Sequence, residues 1–192
     1  TLTEVAAQAG VFFTEGLMYR CHPQVAQTLD LITSGKIGEV QHIAASFGFA
    51  AGYDPKSRLF DPELAGGAIL DVGMYPVSFV RLLAGAALGR HVAEPEHGAG
   101  TGTKAKTGVD DVSYAVMTFA GGITAEVSTA VRRGLDNSVT ITGTKGTIHI
   151  PDPWVPGRDA GPSDASIVVT TDKVEEIKIK DPRILFVETV AM

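Results

Sequence analysis

The chain has 192 residues, 44% of them hydrophobic and 20% charged, the balance of an ordinary globular protein with room for one sizeable core. A formal net charge of −6, with no run of Lys or Arg, excludes the electrostatic footprint of a nucleic-acid binder. The single cysteine, Cys21, excludes a disulfide framework and fits a reducing compartment, so a cytoplasmic location is expected.

No apolar run approaches the roughly 20 residues that span a bilayer, and no basic segment followed by an apolar one opens the chain. Neither a membrane span nor a signal peptide is therefore expected. Thr1 and Glu4 form a capping-box pattern that starts a helix over 2–9, closed by Gly10. A helix that begins without any lead-in is expected of a chain cut from something longer. Residues 11–20 (VFFTEGLMYR) are rich in β-formers and predict a strand. Pro23 suits the first turn of a second helix, with His22 as its capping or turn residue and Val25, Leu29 and Ile32 at helical spacing up to Gly35. Residues 39–50 predict a strand.

A polar, turn-rich loop follows over 51–65, of the kind that carries binding residues on a rigid scaffold. Residues 66–85 (GGAILDVGMYPVSFVRLLAG) predict a long apolar helix, with Ile69, Val72, Pro76, Val80 and Leu83 as its buried stripe. The segment 89–108, with Gly98, Gly100 and Gly102 followed by Lys104, predicts a flexible loop. It is no phosphate cradle, because charged and turn-forming residues precede it and no helix follows. Beyond it the texture turns to strands and hairpins: 111–120 with 123–131 across Gly121-Gly122, 138–143 with 147–150 across Thr144-Lys145-Gly146, and 166–171 with 174–180 across Asp172-Lys173. A Pro/Gly-rich excursion surrounds Trp154 over 152–163, and 184–192 read as the first turns of a helix. Helices first and hairpins after predict an α+β domain, with an open, mainly antiparallel sheet and helices on one face.

The five histidines form no ligand-spaced cluster, so no metal site is expected, and no Gly-x-Ser-x-Gly elbow supports a hydrolase. Asp71 and Tyr75 differ from these. Four positions apart, they place a carboxylate and a phenol on one helical face in an otherwise apolar stretch. Spacing alone leaves open whether they are a polar pair in a site or the solvated edge of a core helix. Gly66-Gly67 before them permits close backbone approach, and Pro76 removes one helical N–H. Both features suit a shaped site, and both suit a simple kink.

Several motifs together resemble the glucose–fructose oxidoreductase/inositol dehydrogenase (Gfo/Idh/MocA) family. They are Met18-Tyr19-Arg20-x-His22-Pro23, Arg58-Leu59, Gly66-Gly67-Ala68-x-Leu70-Asp71-x-Gly73-x-Tyr75 and Arg81-Leu82-Leu83-x-Gly85. Thr107-Gly-Val-Asp-Asp111, Phe119-x-Gly-Gly122, Gly143-Thr-Lys-Gly146 and Pro151-x-Pro153-Trp154 follow in the same order. The likeness is greatest to the branch of dihydrodiol and xylose dehydrogenases that use NADP.

The resemblance implies that residues 1–192 are the substrate-binding and oligomerisation domain of such an oxidoreductase. A Rossmann domain carrying the glycine fingerprint and a Glu-Lys-Pro motif would lie upstream of Thr1, and the C-terminal helix would run on beyond the chain. By resemblance Asp71 and Tyr75 are the catalytic pair, Arg58 is near cofactor or substrate, and Arg20 and Met18 border the substrate cleft. The cofactor implied is NADP, or NAD, bound mainly by the missing domain. The substrate implied is a sugar or dihydrodiol hydroxyl, and the assembly a homodimer or tetramer through the open sheet face. This chain alone is expected to be inactive. The rival reading is a stand-alone, non-catalytic module that binds a carbohydrate or a protein.

Overall fold

The computed structural model describes residues 1–14, 16–156 and 163–181. Helix α1 (Leu2–Ala9) opens with the expected capping box, Thr1 Oγ1 accepting from the Glu4 N–H, and Gly10 closes it in the left-handed region at φ 64°. Helix α2 (Pro23–Thr33) has Pro23 in its first turn and is capped by His22, whose Nδ1 accepts from the Gln24 N–H at 3.3 Å. Strand β1 (Val40–Gly48) leads to the loop over 51–65. A π-helical turn (Ile69–Gly73) then runs into α3 (Met74–Ala87).

Strands β2 (His97–Lys104), β3 (Asp110–Thr118), β4 (Thr124–Ala130), β5 (Val139–Gly143), β6 (Gly146–Ile150), β7 (Ser163–Thr170) and β8 (Val174–Asp181) complete one eight-stranded sheet in the order β2-β3-β4-β1-β5-β6-β7-β8. Every pair is antiparallel except β1–β4. Parallel neighbours cannot be joined by a tight turn, and the long connection between β1 and β4 carries α3 across one face of the sheet. The three predicted hairpins lie at β3–β4, β5–β6 and β7–β8.

The core follows from side-chain alternation. On β5 and β6, Val139, Ile141, Ile148 and Ile150 are fully buried, while Thr140, Thr142, Thr147 and His149 face outward. Inward residues of β1, β4, β5 and β6 pack on Phe79, Val80 and Leu83 of α3 and on Leu31 and Ile32 of α2. Both helices lie on the same face, as an α+β domain requires. The opposite face is open and rich in Thr, Ser and His.

Four expectations need correction. Residues 11–14 form no strand, and a 3₁₀ turn (Met18–Cys21) occupies the end of that run. Val11, Phe12 and Phe13 are 60%, 69% and 52% exposed; a β-rich run becomes a strand only where a neighbour takes its backbone bonds. The glycine string is no loop but edge strand β2, paired along its length with β3. Glycine is required there, since a Cβ on Gly102 would lie 2.4 Å from the Val112 carbonyl oxygen.

The long helix is π-helical over its first five residues, and Ile69, placed in the buried stripe, is 50% exposed. Pro76 cannot donate to Val72 and its ring crowds that carbonyl, so the regular α ladder cannot run back through this turn. Finally, Pro62–Ala87 is long and apolar enough by composition to cross a bilayer, contrary to expectation, although 61% of its most apolar window is buried as in a core helix. The helix expected from 184 and most of the excursion after Trp154 lie outside the described residues.

Candidate active site

Three pieces of chain meet around the π turn. The first is the loop over 51–65, which does not hang free. Phe60 is fully buried in a second small core with Ala68, Val72, Val109 and Val131, and Tyr53 and Leu59 pack against it. The Arg132 guanidinium, just beyond β4, lies 5.4 Å from the Tyr53 ring centroid and 6.0 Å from that of Phe60, holding the loop by cation–π contact. Ala51 N–H donates to the Val131 carbonyl at 2.9 Å, fastening the start of the loop to the same place. Arg58 is thereby presented from a fixed support.

The second piece is the π turn itself. The Asp71 N–H donates to the Gly67 carbonyl at 3.0 Å, and the Asp71 side chain points at the loop. Its Oδ1 accepts a charge-assisted hydrogen bond from Arg58 Nη1. The two partners differ sharply in solvent access: the Asp71 side chain is 13% exposed and that of Arg58 71%. A nearly buried carboxylate needs a counter-charge, and Arg58 supplies it from the solvent side.

The third piece is aromatic. Tyr75 is half-buried among Phe47, Tyr19 and Trp154, with ring centroids at 5.3, 5.9 and 6.4 Å. Trp154 stacks on Phe47 at 15° and fixes its own orientation by donating Nε1–H to the Ser46 carbonyl at 2.7 Å. The phenol thus stands on an apolar wall, one helical turn beyond a carboxylate.

Of the residues predicted from sequence, Asp71 and Arg58 are joined directly, and Tyr75 follows on the same helical run. Arg20 belongs to the 3₁₀ turn. Its Nη2 donates to Ser78 Oγ at 2.6 Å and to the Ser78 carbonyl at 3.2 Å, tying that turn to α3 one turn past Tyr75. Met18 opens the same turn, half-buried. Between them, Tyr19 is 1% exposed and touches the Tyr75 ring; burial pushes its phenol pKa above the ordinary value.

Sequence reasoning misses Tyr19, Phe47 and Trp154 as walls of the site. Trp154 carries one weak signal, an aromatic residue behind two prolines in a polar excursion. Phe47 sits in an alternating strand and carries none.

Gly98, Gly100 and Gly102 belong to a paired strand, and no described glycine-rich turn leads from a strand into a helix N-terminus. Arg58 is the candidate to meet a cofactor phosphate or amide from this chain.

Residues 25–149 match the family model of the GFO/IDH/MocA C-terminal domain. An uncharacterised oxidoreductase of Rhizobium meliloti is 33% identical over 159 residues, covering 82% of this chain and 45% of that protein. The mouse (Mus musculus) trans-1,2-dihydrobenzene-1,2-diol dehydrogenase is 30% identical over 151 residues, covering 79% and 43%. The chain thus spans less than half the length of these relatives. Among solved structures, a 3-ketoreductase from Actinomadura kijaniata in complex with NADP and TDP-benzene superposes with a TM-score of 0.77 at 24% identity, over 93% of this chain and 52% of that one. An aldose–aldose oxidoreductase from Caulobacter crescentus complexed with glycerol gives a TM-score of 0.75 at 21% identity, over 95% and 51%. At such identities the superpositions speak for the fold alone.

Proposed function

The chain belongs to the Gfo/Idh/MocA family of oxidoreductases, matching its C-terminal domain, and from that premise we propose that it supplies the substrate side of an NADP-dependent dehydrogenase. The reaction is the interconversion of a secondary alcohol, in a sugar or a cyclic vicinal diol, with the corresponding carbonyl. The observation that carries this reading is the joint placement of Asp71 and Tyr75. A carboxylate paired to an exposed arginine lies one turn before a phenol set on an aromatic wall.

In the reducing direction the neutral Tyr75 phenol donates its proton to the substrate oxygen as carbon accepts a hydride. In the oxidising direction the phenolate takes the hydroxyl proton as hydride leaves. The nicotinamide, when bound, supplies or accepts that hydride; everything else assigned to this chain concerns the proton and the grip on substrate. A phenol of ordinary pKa, about 10, is a poor base at neutral pH. It needs a nearby cation, for which a lysine of the dinucleotide-binding domain outside this chain is the source. Asp71 then holds that lysine or a substrate hydroxyl, while Arg58 keeps the carboxylate compensated until it does. The aromatic wall suits the apolar face of a sugar ring or of a dihydrodiol. This chain alone would bind no dinucleotide and turn over nothing.

The open sheet face, around Tyr114, Val116 and Glu126, supports self-association into a homodimer or tetramer. A hollow of about 330 Å³ lies across β2, β3 and β4 there.

The test is Tyr75→Phe in the complete polypeptide. Turnover should fall by about 10²–10⁴-fold, the usual worth of a positioned acid or base, with dinucleotide affinity unchanged. Unaltered turnover would refute the assignment.

A further inference from the structure

The helical run that carries Asp71 and Tyr75 has no means of capping itself. It starts at Gly66-Gly67-Ala68, and no side-chain oxygen from that segment reaches its free N–H groups. From the sheet, one side chain supplies the missing cap and a second holds the carbonyl of the same peptide. Asp110, at the start of β3, accepts the Ile69 N–H on Oδ2 at 2.9 Å, and Ser113 Oγ donates to the same oxygen at 2.8 Å. Thr129, on β4 and 6% exposed, donates its hydroxyl to the Ala68 carbonyl at 3.1 Å.

The Ala68 carbonyl and the Ile69 N–H belong to one peptide group. That peptide is therefore held at both poles by adjacent strands, two residues before Asp71. Gly67 makes the approach possible. Its φ is 127°, and a Cβ there would lie 2.3 Å from Asp110 Oδ1. The carboxylate also sits where a helix N-terminus favours negative charge.

We propose that Asp110 and Thr129 are positioning residues for the Asp71–Tyr75 pair, acting by pinning both ends of the Ala68–Ile69 peptide to the sheet. The inference rests on the reading of that pair as the reacting groups. A π turn is open to more than one register, so the segment before α3 needs an external fix. With the peptide pinned, Asp71 meets Arg58 and Tyr75 meets its wall. Released, the turn loses its fixed register, since Pro76 denies it a regular α ladder to settle into, and Asp71 is free to swing away from Arg58 while α3 keeps its seat through Phe79, Val80 and Leu83.

The experiment compares Asp110→Ala, Asp110→Asn, Thr129→Val and Tyr75→Phe in the complete enzyme, measuring kcat, KM, dinucleotide Kd and thermal unfolding. Asp110→Ala should lower kcat by about 100-fold, the scale of an ångström-sized misplacement, with dinucleotide Kd unchanged. Asp110→Asn should recover to within about five-fold, because both bonds go to one oxygen, which the amide retains. Thr129→Val, nearly isosteric and so able to fold, should lower kcat in the same sense and leave KM near its original value.

Equal loss in Asp110→Asn and Asp110→Ala overturns the inference, as does unchanged kcat in Thr129→Val. Either result, with Tyr75→Phe inactive, leaves the functional reading standing. Turnover that survives in Tyr75→Phe removes the reading and the inference together. Should Asp110→Ala not fold, Asp110→Asn and Thr129→Val decide.

Discussion

At the scale of single residues, the aromatic cluster around Tyr75 holds two hydroxyls with different duties. Tyr75 is half-buried one helical turn beyond Asp71, whereas Tyr19 is 1% exposed and, among the described residues, its hydroxyl makes no hydrogen bond of regular geometry, although Ser78 and Arg20 lie close. Tyr19→Phe is therefore expected to leave the melting temperature unchanged or to raise it by the equivalent of at most about 1 kcal/mol. A fall of several degrees in differential scanning calorimetry would mean that the hydroxyl has a working partner. The pH dependence has a definite sign. The folded-state pKa is raised, so the neutral phenol's contribution is complete below the unfolded value of about 10 and is lost as pH rises through the folded one. The alkaline loss of stability should shrink in Tyr19→Phe.

At the scale of elements, what is legible in the sequence is what local chemistry decides. Thr1 with Glu4, His22 before Pro23, and the turns at Gly121-Gly122 and Thr144-Lys145-Gly146 each contain the group that ends or starts the element. Strand β2 is not legible, because three glycines in eight residues carry no strand propensity; close packing on β3 sets their conformation. The run at 11–20 errs in the opposite direction, with propensity present and no pairing neighbour. Within the site, spacing puts Asp71 near Tyr75, but nothing local brings in Arg58, Trp154 or Asp110, which arrive from other elements. The 51–65 loop shows how such an arrival is secured. Removing the Arg132 guanidinium from above Tyr53 and Phe60 should cost about 0.5–1 kcal/mol of loop ordering. In the complete enzyme, Arg132→Ala should then raise KM by about two- to five-fold with little change in kcat, measurable in steady-state kinetics.

At the scale of the whole molecule, the sheet is unequally guarded. The helices cover one face, and edge strand β8 carries Glu175, Glu176, Lys178 and Lys180, which discourage a further strand. The open face offers Tyr114 at 38% and Val116 at 52% exposure, among small polar neighbours. If this face joins copies of the protein, Val116→Arg should shift the mass seen by light scattering toward the monomer while the far-ultraviolet circular dichroism stays unchanged. Unaltered mass would place the association elsewhere.

The chain contains one tryptophan, and it lies against the candidate phenol. Trp154 stacks on Phe47, meets Tyr75 edge-on and is fully enclosed. Tryptophan emission from this polypeptide is consequently a single-site optical signal. It arises beside the proposed reacting groups, with Tyr19 and Tyr75 near enough to act as energy donors. If the proposed polyol or diol substrate settles on the aromatic wall, its arrival should register in that light without any label, whereas events on the open face should leave it untouched.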